Sequence, residues 1–492
     1  MTLRELVTRA LNSDQALPET TVTGVVQDHR RVRPGAVFVA RRGGATDGHR
    51  FAKLAAEAGA AAVVGQQPGV TVLPWQHVPY VHVTDDKTAL AKLAAAFYDY
   101  PARSLTTLGV TGTDGKTTTS FLLHHLLRAE FQSGLLSTAG VKLNDTALDL
   151  AGHFTTPEAP EVQALLAQFR AAGCSHAVVE ASSHGFAQHR LDEISFEVGV
   201  WTNLTPEHLD FHGTFAAYRD AKLTLVKRSR TSILNRDDTS FEAFAAASDQ
   251  MISYGEHPDS DWRVTDTENV PGGQRFRLRV KTPDGAVEPK LEREVRLPLV
   301  GRYNVHNALA ALAAAHAVGL NLDTLLARLE TFAGVPGRME IVQHAPFSLI
   351  VDFAHTPAAL EKLLQTLRPA TMGKLIVVVG AAGERDPGKR QPLGRVAARH
   401  ADIAIFTEED SRSEEVEAIL KELVQGAQSV GKNNYRTVAE RSEAIRAAVA
   451  LAVPGDTVVL AGKGHERALE RAFETLPWDE VAEARRALAS VS

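Results

Sequence analysis

An α/β protein of three domains is the fold class this sequence predicts, with a central, mostly parallel sheet and a C-terminal doubly wound, Rossmann-like domain. Three observations carry the prediction. The chain has 492 residues, enough for about three domains of ordinary size. Short apolar runs rich in Val and Ile alternate with Ala- and Leu-rich helical stretches, the pattern of strands crossing over through helices. The alternation is interrupted and restarts after Gly334-Val-Pro-Gly337.

Taken in order, residues 1–103 hold strand-like runs at 24–26, 36–40, 60–64 and 80–83, an Ala-rich helix near 52–59 and a second helix over 88–98. Tyr100-Pro101 closes this segment, because a proline disfavours helical backbone before it. Residues 104–335 form the second domain, with strands at Leu105–Val110, Ala177–Glu180, Val198–Trp201 and Thr231–Leu234. Within it, residues 262–299 alternate polar and apolar side chains, as an antiparallel patch does. Residues 336–492 form the third, with strands beginning at Leu349, Leu375, Ile403 and Thr457.

Composition narrows the function classes. Apolar residues make up 44% and charged residues 23%, a globular balance. A net charge of −6 with scattered Lys and Arg gives no electrostatic case for nucleic acid. The single cysteine, Cys174, excludes an internal disulfide framework and a multi-cysteine zinc site, and its place at a helix end fits a small buried role. No run is long enough to span a bilayer and the N-terminus carries no long hydrophobic stretch, so a cytoplasmic protein is expected.

The most informative segment is residues 108–119. An apolar strand runs into Gly112, Thr113, Asp114, Gly115, Lys116, Thr117 and Thr118, and then into a helix over 120–129. Glycines let consecutive backbone N–H groups converge on phosphate oxygens, the helix N-terminus adds partial positive charge, Lys116 supplies a cation, and the Thr117 hydroxyl is placed for Mg²⁺. The central sheet is therefore of P-loop type and the expected ligand is ATP. Val110 stands where the usual spacing has its first glycine. A Gly-rich turn without function is the competing reading, and Lys-Thr-Thr after the glycine has no structural need. Downstream, an apolar strand ends in Glu180, a carboxylate placed where Mg²⁺ is held beside such loops. The loop after the next strand carries His208, Asp210 and His212; without cysteines or a helical pair of histidines, a single His ligand for Mg²⁺ or plain hydrogen bonding is expected rather than zinc.

Nine segments then occur in one order: Gly112-Thr-Asp-Gly-Lys-Thr-Thr, Thr155-Thr-Pro-Glu, Glu180-Ala-Ser-Ser-His, Asn203-Leu-Thr-Pro-Glu-His-Leu-Asp, Tyr218-Arg-Asp-Ala-Lys, Asn304-Val-His-Asn, Val335-Pro-Gly-Arg-Met-Glu, Val351-Asp-Phe-Ala-His and Gly462-Lys-Gly-His-Glu. Together they resemble the Mur ligases over nearly the whole chain, and among them the branch that adds the third residue of the peptidoglycan stem peptide. The resemblance implies an ATP- and Mg²⁺-dependent ligase that phosphorylates the D-glutamate carboxylate of UDP-N-acetylmuramoyl-L-alanyl-D-glutamate and joins a diamino acid to it. Residues 1–103 would bind the UDP-substrate, residues 104–335 ATP, and residues 336–492 the incoming amino acid. By the same resemblance Lys116, His208 and Lys222 are catalytic, Thr117, Glu180, His208 and Lys222 belong with Mg²⁺, and Lys222 is the lysine that the family carbamylates. An ordinary surface lysine on a helix over 216–226 is the competing reading. Asn304, Asn307, Arg338, Asp352 and His355 would hold adenine and ribose; Asn307 also reads as part of a helix cap and first turn. His29, Thr155, Thr156, Ser182, Gln188 and Arg190 would meet the UDP-substrate. His29 stands where serine is usual, and Gly44-Ala45 replaces larger polar residues before Asp47-Gly-His49.

Arg385, Glu409, Asp410, Arg412, Gly462 and Glu466 would form the amino-acid pocket. Family members that select meso-diaminopimelate carry Asp-Asn-Pro-Arg where this chain has Glu409-Asp-Ser-Arg412. The extra carboxylate of Asp410 is expected to neutralise Arg412 and, with Glu409 and Glu466, to favour the distal ammonium of L-ornithine or L-lysine, with meso-diaminopimelate the alternative. Solvated loop acids ahead of a helix near Ser413 are the competing reading of Glu409 and Asp410. Two rival functions are a glutamate ligase of the folylpolyglutamate synthase kind and a P-loop protein that hydrolyses ATP without acyl transfer. Asp47-Gly-His49 and Thr155-Thr156 speak against the first.

Overall fold

The computed structural model describes residues 1–43, 46–68, 71–73, 77–148, 155–270, 272–281 and 292–490, so Gly44 and Ala45 lie outside the described residues. The chain divides into two compact units, Met1–Phe332 and Ala333–Ser492. The first holds two sheets.

Its N-terminal sheet has four parallel strands in sequence order, Gly24–Val26, Ala36–Val39, Ala62–Gly65 and Tyr80–His82. One face is covered by helices Leu3–Leu11 and Asp86–Phe97 through Leu6, Val7, Leu90 and Leu93. Helix Ala52–Glu57 covers the other with Ala52, Ala55 and Ala56, whose small side chains permit close approach. The helix at Leu3–Leu11 is not among the elements read from the sequence; a capping box of Thr2 and Glu5 starts it, and Leu3, Leu6, Val7 and Ala10 form its buried stripe.

The larger sheet has eleven described strands. Its parallel centre runs Met251–Gly255, Ser229–Asn235, Phe196–Trp201, Thr106–Thr111, His176–Glu180 and Ser133–Ser137. Strands Trp262–Val270, Gly273–Val280 and Glu292–Leu297 pair antiparallel at one end, as the alternating pattern predicts, and each presents apolar side chains to one face. In a parallel α/β sheet the loops after the carboxyl ends of the strands share one edge. Gly112–Gly115, Ala181–Ser182 and Thr202–His208 are such loops, so residues far apart in the chain meet there.

The second unit is a six-stranded sheet ordered Glu340–Gln343, Ser348–Asp352, Thr457–Ala461, Leu375–Val379, Ile403–Phe406 and Tyr435–Thr437, with the first strand antiparallel. Leu375, Val377 and Val379 point to helices Pro357–Leu367, Arg390–His400 and Val416–Gln428, while Ile376 and Val378 point to Arg441–Leu451 and Glu480–Ala489. Both faces are buried, which is why these strands read as unbroken apolar runs. The strand order reverses at Thr457–Ala461, which lies between the strands ending at Asp352 and Val379. The segments after Asp352, Val379, Phe406 and Ala461 therefore share the carboxyl edge, where ligands bind in this architecture.

Candidate active site

The phosphate loop is built from its own backbone and braced from behind. Gly112 has φ +151° and a Cβ there would meet Thr202 Oγ1 at 1.8 Å; Gly115 has φ +82° and its Cβ would meet Asn307 Oδ1 at 2.3 Å. Only glycine fits either place. Thr113 N donates to Asn203 O at 3.0 Å, and Asp114 N donates to Asn203 Oδ1 at 2.9 Å. Helix Lys116–Leu127 starts directly at the lysine, four residues before the expected helix start, with Thr117 and Thr118 in its first turn. Lys116 Nζ donates to Thr113 O at 2.7 Å. Asn304 and Asn307 are buried in helix Arg302–Ala317, Asn307 Nδ2 donating to Asn304 Oδ1 at 2.9 Å, so Asn307 stands directly behind Gly115.

Thr117 Oγ1 donates to Glu180 Oε1 at 3.0 Å. Glu180 is only 1% exposed and also accepts from the Ser137 hydroxyl and from Thr138 N and Oγ1. Glu180 is thus a buried, hydrogen-bonded carboxylate at the strand's end. His208 caps a short helix in left-handed backbone, φ +55°, an unusual state for a non-glycine residue. Its ring lies 4.7 Å from that of His184, and burial aided by the charge of Lys116 pulls its pKa down to about 4. Lys222 is 1% exposed, with Nζ donating to Gly112 O at 2.5 Å and lying 4.6 Å from the Tyr218 ring centroid. It is no surface lysine. Burial, with the charge of Lys116, drives its pKa well below the usual lysine range and favours the neutral amine. A hydroxyl beside a carboxylate is an oxygen donor pair of the kind Mg²⁺ takes, so Thr117 and Glu180 fit that ion; Lys222 would offer it oxygens once carbamylated, and the neutral imidazole of His208 would add a nitrogen donor.

Thr156, Ser182, Gln188 and Arg190 come together at the border of the two sheets of the first unit. Thr156 Oγ1 donates to Glu180 O at 3.0 Å and lies 3.0 Å from Ser182 Oγ; Arg190 Nη1 donates to Thr156 O at 2.9 Å. Thr155 precedes this knot, half-buried. Two residues given no role from the sequence organise it. Glu158 pairs with Arg190 Nη2 at 2.6 Å and with Arg41 Nη1 at 2.7 Å, and Arg41 also donates to Gln27 Oε1 at 2.6 Å and Gln188 Oε1 at 3.1 Å. Arg41 follows the N-terminal strand Ala36–Val39 and so ties that sheet to the knot. His29 stacks on Phe51 with centroids 4.3 Å apart.

In the second unit, Arg338 lies over the Phe353 ring at 4.4 Å and His355 packs against the same ring at 4.5 Å. Asp352 accepts from Met339 N and Ala354 N, both at 2.8 Å; burial holds its pKa up despite Arg338. Arg385 stands exposed on the turn before Arg390. The loop at 407–412 departs from expectation in two ways. Glu408, Glu409, Asp410 and Ser411 are buried, and the following helix starts at Val416, so Glu409 and Asp410 are no solvated acids before a helix. Nor does Asp410 neutralise Arg412. Asp410 Oδ1 accepts from Lys463 Nζ at 2.8 Å, Lys463 pairs with Glu466 at 2.6 Å, and Arg412 pairs instead with Glu470 at 2.8 Å. Lys463 is fully buried and can meet both carboxylates because its three donors radiate from one nitrogen. It stood inside the Gly462-Lys-Gly-His-Glu466 segment, a cation among acids, and was the signal missed. Glu409 Oε2 lies 2.7 Å from where a Cβ on Gly462 would be, is buried, and has no hydrogen-bond partner among the described residues. Burial pushes the pKa of Glu409 up, against Lys389, Arg441 and Lys463.

Comparison with known proteins assigns this arrangement. Three family models match in succession: the "Mur ligase family, catalytic domain" over residues 21–98, the "Mur ligase middle domain" over 110–315 and the "Mur ligase, glutamate ligase domain" over 337–464. The chain belongs to the Mur ligase family. A UDP-N-acetylmuramyl-tripeptide synthetase of Deinococcus radiodurans is 49% identical to this Mur ligase, over 96% of its chain and 95% of the relative. A UDP-N-acetylmuramoyl-L-alanyl-D-glutamate–2,6-diaminopimelate ligase of Gloeobacter violaceus is 40% identical, over 99% and 98%. A solved structure of a ligase of that second kind superposes with a TM-score of 0.67 at 29% identity, covering 100% of this Mur ligase and 99% of the other chain. As a member of the family the chain is an ATP-dependent ligase, and its first-domain match, residues 21–98, accounts for the Asp47-Gly-His49 segment. Among the described residues no helix is long and apolar enough to cross a membrane.

Proposed function

We propose that this Mur ligase adds L-ornithine or L-lysine to the D-glutamate of UDP-N-acetylmuramoyl-L-alanyl-D-glutamate, in the cytoplasm, at the third step of stem-peptide assembly for the cell wall, on which cell shape and division depend. Residues 1–103 take the UDP end, 104–335 carry out phosphoryl transfer and 336–492 hold the nucleotide base and the amino acid. In the reaction, a D-glutamate carboxylate oxygen attacks the γ-phosphorus of ATP and ADP leaves. The amine of the diamino acid then attacks the acyl phosphate, the tetrahedral intermediate expels inorganic phosphate, and the amine's proton passes to solvent or base. Little covalent chemistry falls to the protein, so positioning and charge compensation dominate. Gly112–Thr118 cradle the phosphates and Lys116 compensates the transferring charge. Asn304 and Asn307 support the nucleotide from behind Gly115, while Arg338, Asp352 and His355 meet base and ribose. Mg²⁺, held by Thr117 and Glu180 and at a second place by His208 and carbamylated Lys222, would screen the phosphate oxygens. A neutral amine is the form that adds CO₂, so the depressed pKa of Lys222 supports that modification. A ¹³C NMR spectrum of the active enzyme in ¹³C-bicarbonate that shows no carbamate carbonyl dependent on Lys222 would remove it. His29, Thr155, Thr156, Ser182, Gln188 and Arg190 face the UDP-substrate, and Arg385 the α-carboxylate of the amino acid.

One observation carries the choice of amino acid. Glu409 Oε2 is a buried carboxylate oxygen without a donor among the described residues, beside Gly462, in a cluster where Asp410 and Glu466 share a single cation. A distal ammonium would supply the missing donor and charge; a distal carboxylate would add to the acids already there. The test is an amino-acid panel assayed for product with the UDP-muramoyl dipeptide and ATP. L-Ornithine or L-lysine is expected to show the highest kcat/KM, and a preference for meso-diaminopimelate would return the distal contact to Arg412 and overturn the choice.

A further inference from the structure

We infer that Glu470 is a specificity-determining residue of this ligase: it occupies Arg412 and so denies that guanidinium to a distal carboxylate. The inference rests on the reading of residues 408–412 as the amino-acid pocket. Arg412 Nε donates to Glu470 Oε2 at 2.8 Å and Arg412 Nη1 donates to Gly383 O at 2.7 Å. The pair is set by backbone as well as by side chains. Arg412 N donates to Glu470 O at 3.1 Å, Glu470 N donates to Asp410 Oδ1 at 3.0 Å, and Arg412 holds left-handed backbone at φ +50°. Glu470 itself is anchored at the end of strand Ala468–Glu470, paired with Thr475–Pro477. A carboxylate on so short and ordered a tether competes with a free ligand at high effective concentration.

The surroundings act in the same direction. Arg412 lines a cavity of about 540 Å³ whose wall includes Glu408, Glu414, Glu415, Glu417, Glu440 and Glu474. The other arginine of that wall, Arg471, is taken by Glu408 at 2.7 Å. A ligand carboxylate approaching Arg412 therefore competes with Glu470 for the guanidinium charge and enters a field of like charge, whereas a ligand ammonium meets neither obstacle.

The experiment measures KM for L-ornithine and for meso-diaminopimelate, or the inhibition constant where one is not turned over, at saturating ATP and UDP-substrate. It compares the full-length enzyme with Glu470→Gln, Glu470→Ala, Arg412→Ala and the Arg412→Ala/Glu470→Gln double variant, each checked for an unchanged melting temperature. Removing the Glu470 charge should lower the constant for meso-diaminopimelate by roughly fivefold or more, as expected for freeing a partly exposed guanidinium, while that for L-ornithine stays unchanged. The gain should vanish without Arg412. An equal shift for both amino acids, or a shift that persists in the Arg412→Ala background, overturns the role of Glu470. If neither Glu470 variant changes either constant, the inference is overturned; if the wild type joins neither amino acid, the pocket reading falls and the inference falls with it. If the wild type prefers meso-diaminopimelate but the Glu470 effect still depends on Arg412, only the proposed substrate is wrong.

Discussion

In the phosphate loop seven consecutive residues, Gly112 to Thr118, provide the glycines, the cation, the hydroxyl and the helix start, and tertiary contacts such as Asn203 and Asn307 only brace what the local backbone already forms. Around Arg412 the main pairs instead join separate elements, Asp410 with Lys463, Arg412 with Glu470, Arg471 with Glu408. The first site is a conformation; the second is a set of pairings. A conformation is written in adjacent residues and survives change in its neighbours. A set of pairings can be re-dealt by a single substitution several strands away, which suits the proposed role of this region in choosing among similar amino acids.

The largest effect that tests this contrast is Lys116→Ala. If the loop's geometry is local and Lys116 compensates the transferring charge, the variant should keep its fold and melting temperature yet lose roughly 10²-fold or more in kcat. Near-normal turnover would remove Lys116 from the chemistry. Smaller, and confined to one substrate, is the effect of Arg41→Met. Glu158 and Gln188 lose their partner from the N-terminal sheet, so KM for the UDP-substrate should rise by about tenfold while KM for ATP is unaffected. A parallel rise in both constants would mark Arg41 as merely structural.

Asp410→Asn probes the pairings directly. Asparagine keeps an acceptor for Glu470 N but leaves the buried Lys463 with Glu466 alone. A loss of about 1–3 kcal/mol in stability is expected, together with a several-fold shift of kcat/KM towards meso-diaminopimelate. Denaturation and competition assays read the two separately, and a selectivity ratio that does not move would leave Asp410 a purely structural partner of Lys463.

The smallest effect is on the pH dependence of stability. Glu409 titrates above its ordinary value of 4.5 in the folded chain because burial disfavours the carboxylate. The native state then binds more protons than the unfolded one between 4.5 and the raised native value, so stability falls as pH rises through that window. Glu409→Gln should abolish this fall and raise the melting temperature at neutral pH by roughly 2–4 °C, read by calorimetry across pH. A variant with the same pH slope as the wild type would mean that another group ionises there.

Much of the molecule was legible before any coordinates. Unbroken Val and Ile runs between Ala/Leu helices specify parallel strands buried on both faces, and Gly112 and Gly115 specify a backbone that no other residue adopts there. The helix at Leu3–Leu11 was hidden because its buried stripe is interspersed with charge, and Arg41 was hidden because nothing near it in the chain indicates that it reaches Glu158. Nor does Lys222 betray its burial, since Ala216 to Val226 would read the same on a surface.

By itself, then, the sequence determined the sheet architecture, the phosphate loop and the list of residues gathered at the strands' carboxyl ends, because each of these follows from local periodicity and backbone preference. Only the tertiary structure decided who pairs with whom. Asp410 and Arg412 are two residues apart and of opposite charge, yet Asp410 turns to Lys463 and Arg412 to Glu470. The left-handed backbone at Arg412 and the strand ending at Glu470 are part of how they are held, and in a buried loop a charge takes whichever partner the fold brings within hydrogen-bond distance.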